Sequence, residues 1–174
     1  MTLTTLNTMF DEFVEIYKHK PIRSNDGGML APQMFSLYRI LKEINPETII
    51  ESGVWRGQGT WFMREVCPNA NIISFDIEYS NLMYRDDSTR YVNTDITKFN
   101  WSEFFESHDP ETTLLFLDDH VNYSDRMDFL YNQNPFIHVV YEDNYPWDQG
   151  DVISPKKILE SETCIIDNAG DRRE

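Results

Sequence analysis

The sequence predicts an α/β fold, a three-layer sandwich in which helices cover both faces of a mostly parallel sheet. Short apolar segments alternate with segments of helical periodicity five times along the chain, which is typical of parallel strands joined by crossover helices. One segment, 112–117, is apolar over most of its length, as expected for a central strand that is buried on both faces. In addition, an acidic residue ends each predicted strand.

The predicted elements follow in order along the chain. Apolar residues at helical spacing predict helices over 5–19 and 32–44, with a glycine-containing loop between them that could close as a lid at 25–29. We expect residues 1–45 to form a helical segment and lid packed on a core domain, residues 46–174. The core strands are predicted at 48–52, 71–75, 90–94, 112–117 and 138–141, with helices at 60–66 and 124–131 and a short helix within 97–107, around Trp101, Phe104 and Phe105.

The C-terminal part of the chain is predicted to add little to the sheet. After Asp151 the pattern indicates one helix, 155–160, and a short strand at 164–166. The C-terminal strands are therefore expected to be short or missing. An exposed sheet edge can pair with another strand, so a homodimer is one expectation.

Composition limits the function classes. The chain has 174 residues, 40% hydrophobic and 14% aromatic, which suits one folded domain. Its formal net charge of −15 disfavours nucleic-acid binding, which needs clustered Lys and Arg. The charge is compatible with a divalent cation held by carboxylates, although most of these acids are expected only to solvate the surface.

No targeting or membrane signal is visible. Residues 1–10 lack the basic and apolar regions of a signal peptide, and no apolar stretch is long enough to span a bilayer. Cys67 and Cys164 have no metal-type or redox-type spacing, so free thiols in a reducing compartment are expected. We therefore expect a cytoplasmic protein without a membrane partner.

The turn after the first strand has the layout of a cofactor site. Gly53, Gly57 and Gly59 lie between Glu51 and a helix that begins at Thr60. Glycine allows a sharp bend and close approach of a ligand, and a helix N-terminus offers unpaired N–H groups. The spacing differs from the G-x-G-x-x-G of dinucleotide sites, which favours a compact nucleoside with an amino-acid tail. An ordinary tight turn is the alternative.

The acids that end the strands predict a ligand site at one edge of the sheet, because ligands of open parallel sheets bind at the carboxyl ends of the strands. Asp76 could accept from both ribose hydroxyls, and Asp95 from an adenine amino group. Each could instead be a turn or N-cap residue. The five acids are Glu51, Asp76, Asp95, Asp118 and Glu142.

Acidic doublets follow the fourth and fifth strands and suggest a metal site. Asp118 and Asp119 follow one strand, and Glu142 and Asp143 the next. One acid per strand would suffice to cap the helix that follows, and two or three carboxylates suffice for Mg²⁺. His120 lies beside them and has the side chain of a general base. Asp119 is a rival for that role, and a pocket-lining histidine without chemistry is the plainer alternative.

Together these residues resemble class I S-adenosylmethionine-dependent methyltransferases over about residues 30–150. Residues 50–54 (Ile-Glu-Ser-Gly-Val), with Gly57 and Thr60, are similar to the first cofactor motif of that family. Residues 117–120 and 141–144 (Leu-Asp-Asp-His and Tyr-Glu-Asp-Asn) resemble the cephalosporin-hydroxylase-like and macrocin-type O-methyltransferases. The resemblance implies a Rossmann-like fold with S-adenosylmethionine as cofactor.

The resemblance also implies a function and residue roles. Asp118, Glu142 and Asp143 would hold Mg²⁺, and methyl transfer would go to a hydroxyl of a sugar, glycan or other small acceptor. Independently of the resemblance, aromatic residues near the same edge could wall the acceptor pocket, although Trp61 could instead only anchor its helix to the sheet; they are Trp55, Trp61, Tyr145 and Trp147. A non-catalytic module with a degenerate fold of this type is the alternative. The expected cofactor-binding residues are Glu51, Gly53, Gly57, Gly59, Thr60, Asp76 and Asp95.

Overall fold

Five parallel strands form the central sheet of the protein, whose computed structural model describes residues 3–132, 136–144, 148, 150, 152–159, 165–166 and 172–173. The sheet has the order β3-β2-β1-β4-β5, so the chain leaves β1 in one direction and returns on its other side at β4. The predicted α/β class is confirmed. The strands are β1 (Thr48–Ser52), β2 (Asn71–Asp76), β3 (Arg90–Asn93), β4 (Thr113–Leu117) and β5 (His138–Tyr141).

The helices lie close to the predicted ranges, with one difference. A 3₁₀ turn, Ile96–Lys98, precedes the short helix predicted within 97–107, which is a single α-turn. Asp95 caps the first piece and Asn100 caps the second, and each cap starts a separate helix. The helices are α1 (Leu3–Lys18), α2 (Ala31–Ile44), α3 (Gln58–Val66), α4 (Trp101–Phe104), α5 (Tyr123–Asn132) and α6 (Pro155–Leu159).

Successive side chains of the central strands enter two different cores, one on each face of the sheet. Ile49 of β1 packs with residues of α1, α2 and α3, whereas Ile50 packs with residues of α4 and α5. In β4, Leu114 and Leu115 divide in the same way. Because strand side chains alternate between faces, burial on both faces gives the continuous apolar run seen in the sequence.

The C-terminal strands in the described residues are short. Ile165–Ile166 (β6) pairs antiparallel with Arg172–Arg173 (β7), apart from the main sheet. Cys67 is a buried free thiol, and Cys164 lies outside the described residues. Within the described part of the chain, none of the helices combines the length and the apolar character that crossing a membrane requires.

Candidate functional site

A cavity of about 430 Å³ lies at the carboxyl ends of the strands, within the size range of small-molecule pockets. Six predicted site residues line it: Gly53, Asp76, Asp95, Asp118, Asp119 and His120. The other predicted residues, Glu51, Gly57, Gly59, Thr60, Glu142 and Asp143, are not part of its described lining. Arg126 and the loop residues Gly27 and Gly28 also line the cavity.

Two positions of the turn require glycine because other segments of the backbone lie too close to leave room for a Cβ. Gly53 has φ +91°, and a Cβ there would lie 1.9 Å from the carbonyl oxygen of Asp118. The ends of β1 and β4 are joined at this point, where the Asp118 N–H donates to the Ser52 carbonyl at 2.8 Å. Gly57 has φ +89°, and its Cβ would meet the Tyr84 carbonyl at 2.2 Å.

Glu51 lies beneath the glycine turn rather than in the cavity. Its side chain is buried, and its Oε2 accepts from the hydroxyls of Thr60 at 2.6 Å and Ser74 at 2.5 Å. Gly59 leaves room for the other oxygen, since a Cβ there would lie 2.8 Å from Oε1. Burial raises the pKa of Glu51 to about 7. Glu51 and Thr60 therefore brace β1, β2 and α3 beneath the predicted cofactor turn.

Asp76 faces the cavity while it also fixes the turn. Its Oδ2 accepts from the backbone N–H groups of Val54 at 2.8 Å and Trp55 at 3.2 Å, and its Oδ1 from that of Glu78 at 3.0 Å. Asp76 therefore both stabilises the turn and lines the cavity. Each carboxylate oxygen accepts more than one hydrogen bond, so a ligand hydroxyl can still donate to Asp76.

Asp95 combines the same two features at the end of β3. Its Oδ1 accepts from the backbone N–H of Thr97 at 2.8 Å and from the Thr97 hydroxyl at 2.6 Å. Burial alone would raise the pKa of Asp95, but the hydrogen bonds from Thr97 and the nearby Arg126 outweigh it, so this pKa lies below its ordinary value. Asp95 is therefore a helix cap that also borders the cavity.

A buried arginine, which the sequence analysis missed, holds Asp119. Arg126 of α5 is 3% exposed, and its Nη2 and Nε lie 2.7 and 3.2 Å from the two carboxylate oxygens of Asp119. The Ser52 hydroxyl donates to the same carboxylate, and Arg126 Nη1 lies 3.7 Å from Asp95. One signal in the sequence was available: Arg126 lies three residues before Phe129, so both residues lie on the same face of the helix, which is the buried one.

Residues that follow β4 and β5, where the sequence predicts a metal site, lie together in a cluster that contains His120 in place of Glu142. Potential ligand atoms of Asp118, His120 and Asp143 all lie within 4.8 Å of one another. The backbone N–H of His120 donates to Asp143 Oδ2 at 2.9 Å. The backbone of His120 has φ +53°, in the left-handed region. Asp143 is fully buried. His120, expected as a base, therefore lies among the expected ligands.

Glu142 adjoins this cluster but points towards α2. Its Oε1 accepts from the Nε2 of Gln33, a residue that the sequence analysis did not consider. Burial, together with the charge of Asp143, raises the pKa of Glu142. Burial and the charges of Glu142 and Asp143 raise the pKa of Asp118 well above its ordinary value. Such crowding of carboxylates is relieved by a positive charge, so the donor set fits a divalent cation.

The aromatic residues divide between core and cavity. Trp61 is buried and packs with Phe62 in the core, which leaves it no place in the pocket. Trp55 lines the cavity, is 42% exposed, and donates through Nε1 to the Asp26 carbonyl at 3.0 Å. Trp147, with the rest of the predicted aromatic wall at 145–147, lies outside the described residues.

Solved structures share this fold. The chain resembles a cmcI structure described as Mg-SAM (TM-score 0.51, 18% identity, covering 71% of this chain and 58% of that one). It also resembles the SAH-bound methyltransferase PaMTH1 of Podospora anserina (TM-score 0.50, 13% identity, 76% and 62%). A further cmcI structure, described with SAH, gives a TM-score of 0.52 at 19% identity, covering 76% and 72%.

At these identities the likeness shows a common fold. The chain spans 58% and 62% of the lengths of the first two structures. No protein-family model matches the chain, and no curated protein matches its sequence. Those structures are described with SAM or SAH, one of them as a methyltransferase, and the cavity of this chain lies at the sheet edge where open parallel sheets bind ligands.

Proposed function

We propose that this protein is an S-adenosylmethionine-dependent, Mg²⁺-assisted O-methyltransferase that acts on a hydroxyl of a sugar or other small hydroxylated acceptor. One observation carries the proposal: a single cavity edge brings together acids suited to a nucleoside, Asp76 and Asp95, and a crowded carboxylate cluster beside His120. The shared fold supports it.

The cavity residues suit the proposed cofactor. Asp76 and Asp95 present fixed acceptors for hydroxyl and amino donors, and the apolar residues Ile77 and Ile96 line the same cavity. The acidic lining also suits the positive charge of a sulfonium. S-adenosylmethionine, when bound, supplies an electrophilic methyl group. Gly53 and Asp76, which hold the turn in place, would fix the position of the cofactor before the acceptor binds.

Asp118 and Asp143, with Glu142 next to them, would hold the cation. Mg²⁺ prefers oxygen ligands, and when bound it supplies a charge that makes a nearby hydroxyl more acidic. His120 is the base in this proposal. Its side chain is 42% exposed beside the cluster, where its imidazole would accept the proton that the acceptor hydroxyl gives up when its oxygen takes the methyl group supplied by the cofactor.

Asp119 is not the base in this proposal. Both of its oxygens are bound by Arg126 and one also by Ser52. A base must approach the proton that it abstracts, and a carboxylate held from three donors would first have to give up these contacts. Through its contacts with Arg126 and Ser52, Asp119 instead holds the backbone next to His120 in place.

The charges around the cavity favour an uncharged acceptor. Among the described residues that line the cavity, four carry carboxylates, and Arg126 already pairs with Asp119 and lies near Asp95. Residues 144–154, which follow the metal site, contain two acids and no Lys or Arg. A phosphorylated acceptor would be repelled by this lining, whereas a neutral sugar would not.

Calorimetry and methyl transfer test the proposal together. We expect S-adenosylmethionine to bind, and methyl transfer to require Mg²⁺ and to favour neutral sugars over their phosphates. His120→Ala should lower the rate by about 10²–10⁴-fold, the range for a general base, with cofactor affinity nearly unchanged. His19→Ala, at an exposed site in the N-terminal segment, is the control. Absence of cofactor binding at millimolar concentration would refute the proposal, and binding without turnover would indicate a non-catalytic module.

A further inference from the structure

Gln33 connects two parts of the molecule through one side chain. It lies in the first turn of α2, and its Oε1 accepts from the backbone N–H of Leu30 at 2.5 Å. Its Nε2 donates to Glu142, 109 positions away in the sequence. The carbonyl and the amino group of the amide thus hold different partners, so a displacement of either partner must move or break the other contact.

The Leu30 contact holds the base of the loop over the cavity, which we call the lid loop (residues 24–29). Leu30 is the N-cap of α2 and follows the lid loop directly. Within the loop, Gly27 and Gly28 line the cavity, and the Asp26 carbonyl accepts from Trp55 on the cofactor turn at 3.0 Å. The position of Leu30 therefore bears on the wall of the proposed cofactor pocket.

The Glu142 contact reaches the carboxylate cluster. Glu142 directly precedes Asp143, and its backbone N–H donates to the carbonyl of Leu117, the residue before Asp118, at 2.9 Å; Asp118 and Asp143 both belong to the group of potential metal ligands. A carboxylate has two oxygens, so one can bind Gln33 while the other faces Asp118 or a cation. Hydrogen-bond partners of metal ligands fix the orientation of those ligands, and their loss typically weakens metal binding by about 10–100-fold.

We infer that Gln33 is a positioning residue that couples the lid loop to the metal site, so that Mg²⁺ and S-adenosylmethionine each tighten the binding of the other. The inference rests on the proposed function. A cation that fixes Glu142 also fixes the Gln33 amide, and through it the Leu30 N–H at the base of the lid loop. By linkage, the effect of the cation on cofactor affinity equals the effect of the cofactor on cation affinity.

Two substitutions at this position separate the link from simple helix capping. Gln33→Glu keeps an oxygen that can accept from the Leu30 N–H, because glutamate serves in the same capping arrangement, but it removes the donor to Glu142 and opposes it with a like charge. Gln33→Ala removes both contacts. Ser36→Ala is the control on the same helix, where the exposed hydroxyl bonds only to the Pro32 carbonyl among the contacts described.

Calorimetry measures the coupling directly. In the unsubstituted protein and in Ser36→Ala, saturating Mg²⁺ should tighten S-adenosylmethionine binding by about 5-fold or more, the usual lower range of coupling between sites. In Gln33→Glu and Gln33→Ala that ratio should fall close to one, and Mg²⁺ should bind about 10–100-fold more weakly. A normal ratio in Gln33→Glu with a reduced one in Gln33→Ala would assign the effect to capping and overturn the inference.

Hydrogen exchange gives a second measurement that needs neither cofactor nor turnover. Mg²⁺ alone should slow amide exchange over residues 24–30 in the unsubstituted protein and in Ser36→Ala, but not in Gln33→Glu. Equal slowing in all three would overturn the coupling. If S-adenosylmethionine does not bind at all, the proposed function fails, while exchange in Mg²⁺ still decides whether Gln33 links the metal site to the lid loop.

Discussion

The acids that follow β1, β2 and β3 differ from those that follow β4 and β5 in the groups that compensate their charge. Beside β1, β2 and β3, each carboxyl group is engaged by donors from the protein: hydroxyls at Glu51, backbone N–H groups at Asp76, and Thr97 at Asp95. After β4 and β5, Asp118 and Glu142 have raised pKa values because they are buried among other carboxylates. The first group is already stabilised by the fold, whereas the second group would gain from a cation.

Asp119 sharpens this comparison because it follows β4 but is compensated like the acids of the first group. Its carboxylate pairs with Arg126 and accepts from Ser52, while its neighbour Asp118 faces Glu142 and Asp143. Two adjacent acids thus have opposite surroundings, because successive residues at the end of a strand point in opposite directions. Substitutions at these two neighbours can therefore test the difference between an acid that the fold stabilises and an acid that would gain from a cation.

Arg126→Met should have the largest effect on stability. It would leave Asp119 buried without its cation, and breaking a buried ion pair from one side costs about 3–5 kcal/mol of the free energy of unfolding. Urea denaturation measures this cost. Replacing both partners, Arg126→Met with Asp119→Leu, should cost less than the single change, since an apolar pair of similar volume is often tolerated. A single-variant loss below about 1 kcal/mol would show that the pair contributes little.

Glu51→Gln should remove a pH dependence of stability. Burial raises the pKa of Glu51 to about 7 from its ordinary value of 4.5, so the folded state holds its proton more tightly than the unfolded state. The stabilisation from Glu51 is therefore full below about pH 4.5 and is lost as the pH rises through 7. Relative to Glu51→Gln, the unsubstituted protein should lose about 3 kcal/mol over that interval.

Denaturation curves at several pH values, with Glu65→Gln as control, test this dependence. Glu65 lies on α3 near Glu51 in sequence, but it is exposed, so its substitution should leave the pH profile unchanged. Parallel profiles for Glu51→Gln and the unsubstituted protein would contradict the assignment of a buried, proton-binding Glu51.

Asp118→Asn should have the smallest effect on stability, and with the opposite sign. Removing one of several crowded carboxylates, whose charges raise the pKa of Asp118, should raise the free energy of unfolding of the metal-free protein, because the carboxylate form is disfavoured in the folded state. The same change should abolish any rise in melting temperature on addition of Mg²⁺, which stabilises by binding the folded state. Asp128→Asn, at an exposed position of α5, is the control. Destabilisation of the metal-free protein by Asp118→Asn would show that these acids are compensated within the fold.

The main elements of the fold were predictable because their signals are local. The period of 3.6 residues reflects which face of a helix is buried, and the short apolar segments between the helical ones located β1, β2 and β5 almost to the residue. The placement of Asp76, Asp95 and Asp118 around one cavity followed from strand direction alone, because the carboxyl ends of parallel strands share one edge. The short helix at Trp101 was predicted, whereas the 3₁₀ turn that precedes it was not, because three residues are too few to show a periodicity.

The partners of the acids were decided by the tertiary structure. The sequence placed Glu51 at the end of β1, but only packing directs its carboxyl to Thr60 and Ser74 beneath the turn. Likewise, nothing local pairs Asp119 with Arg126 or brings Gln33 to Glu142. The positions and directions of the strands, which the sequence predicts, determine which residues reach the edge of the sheet. Which of them are neutralised there depends on side chains from other elements, which meet only when the chain folds.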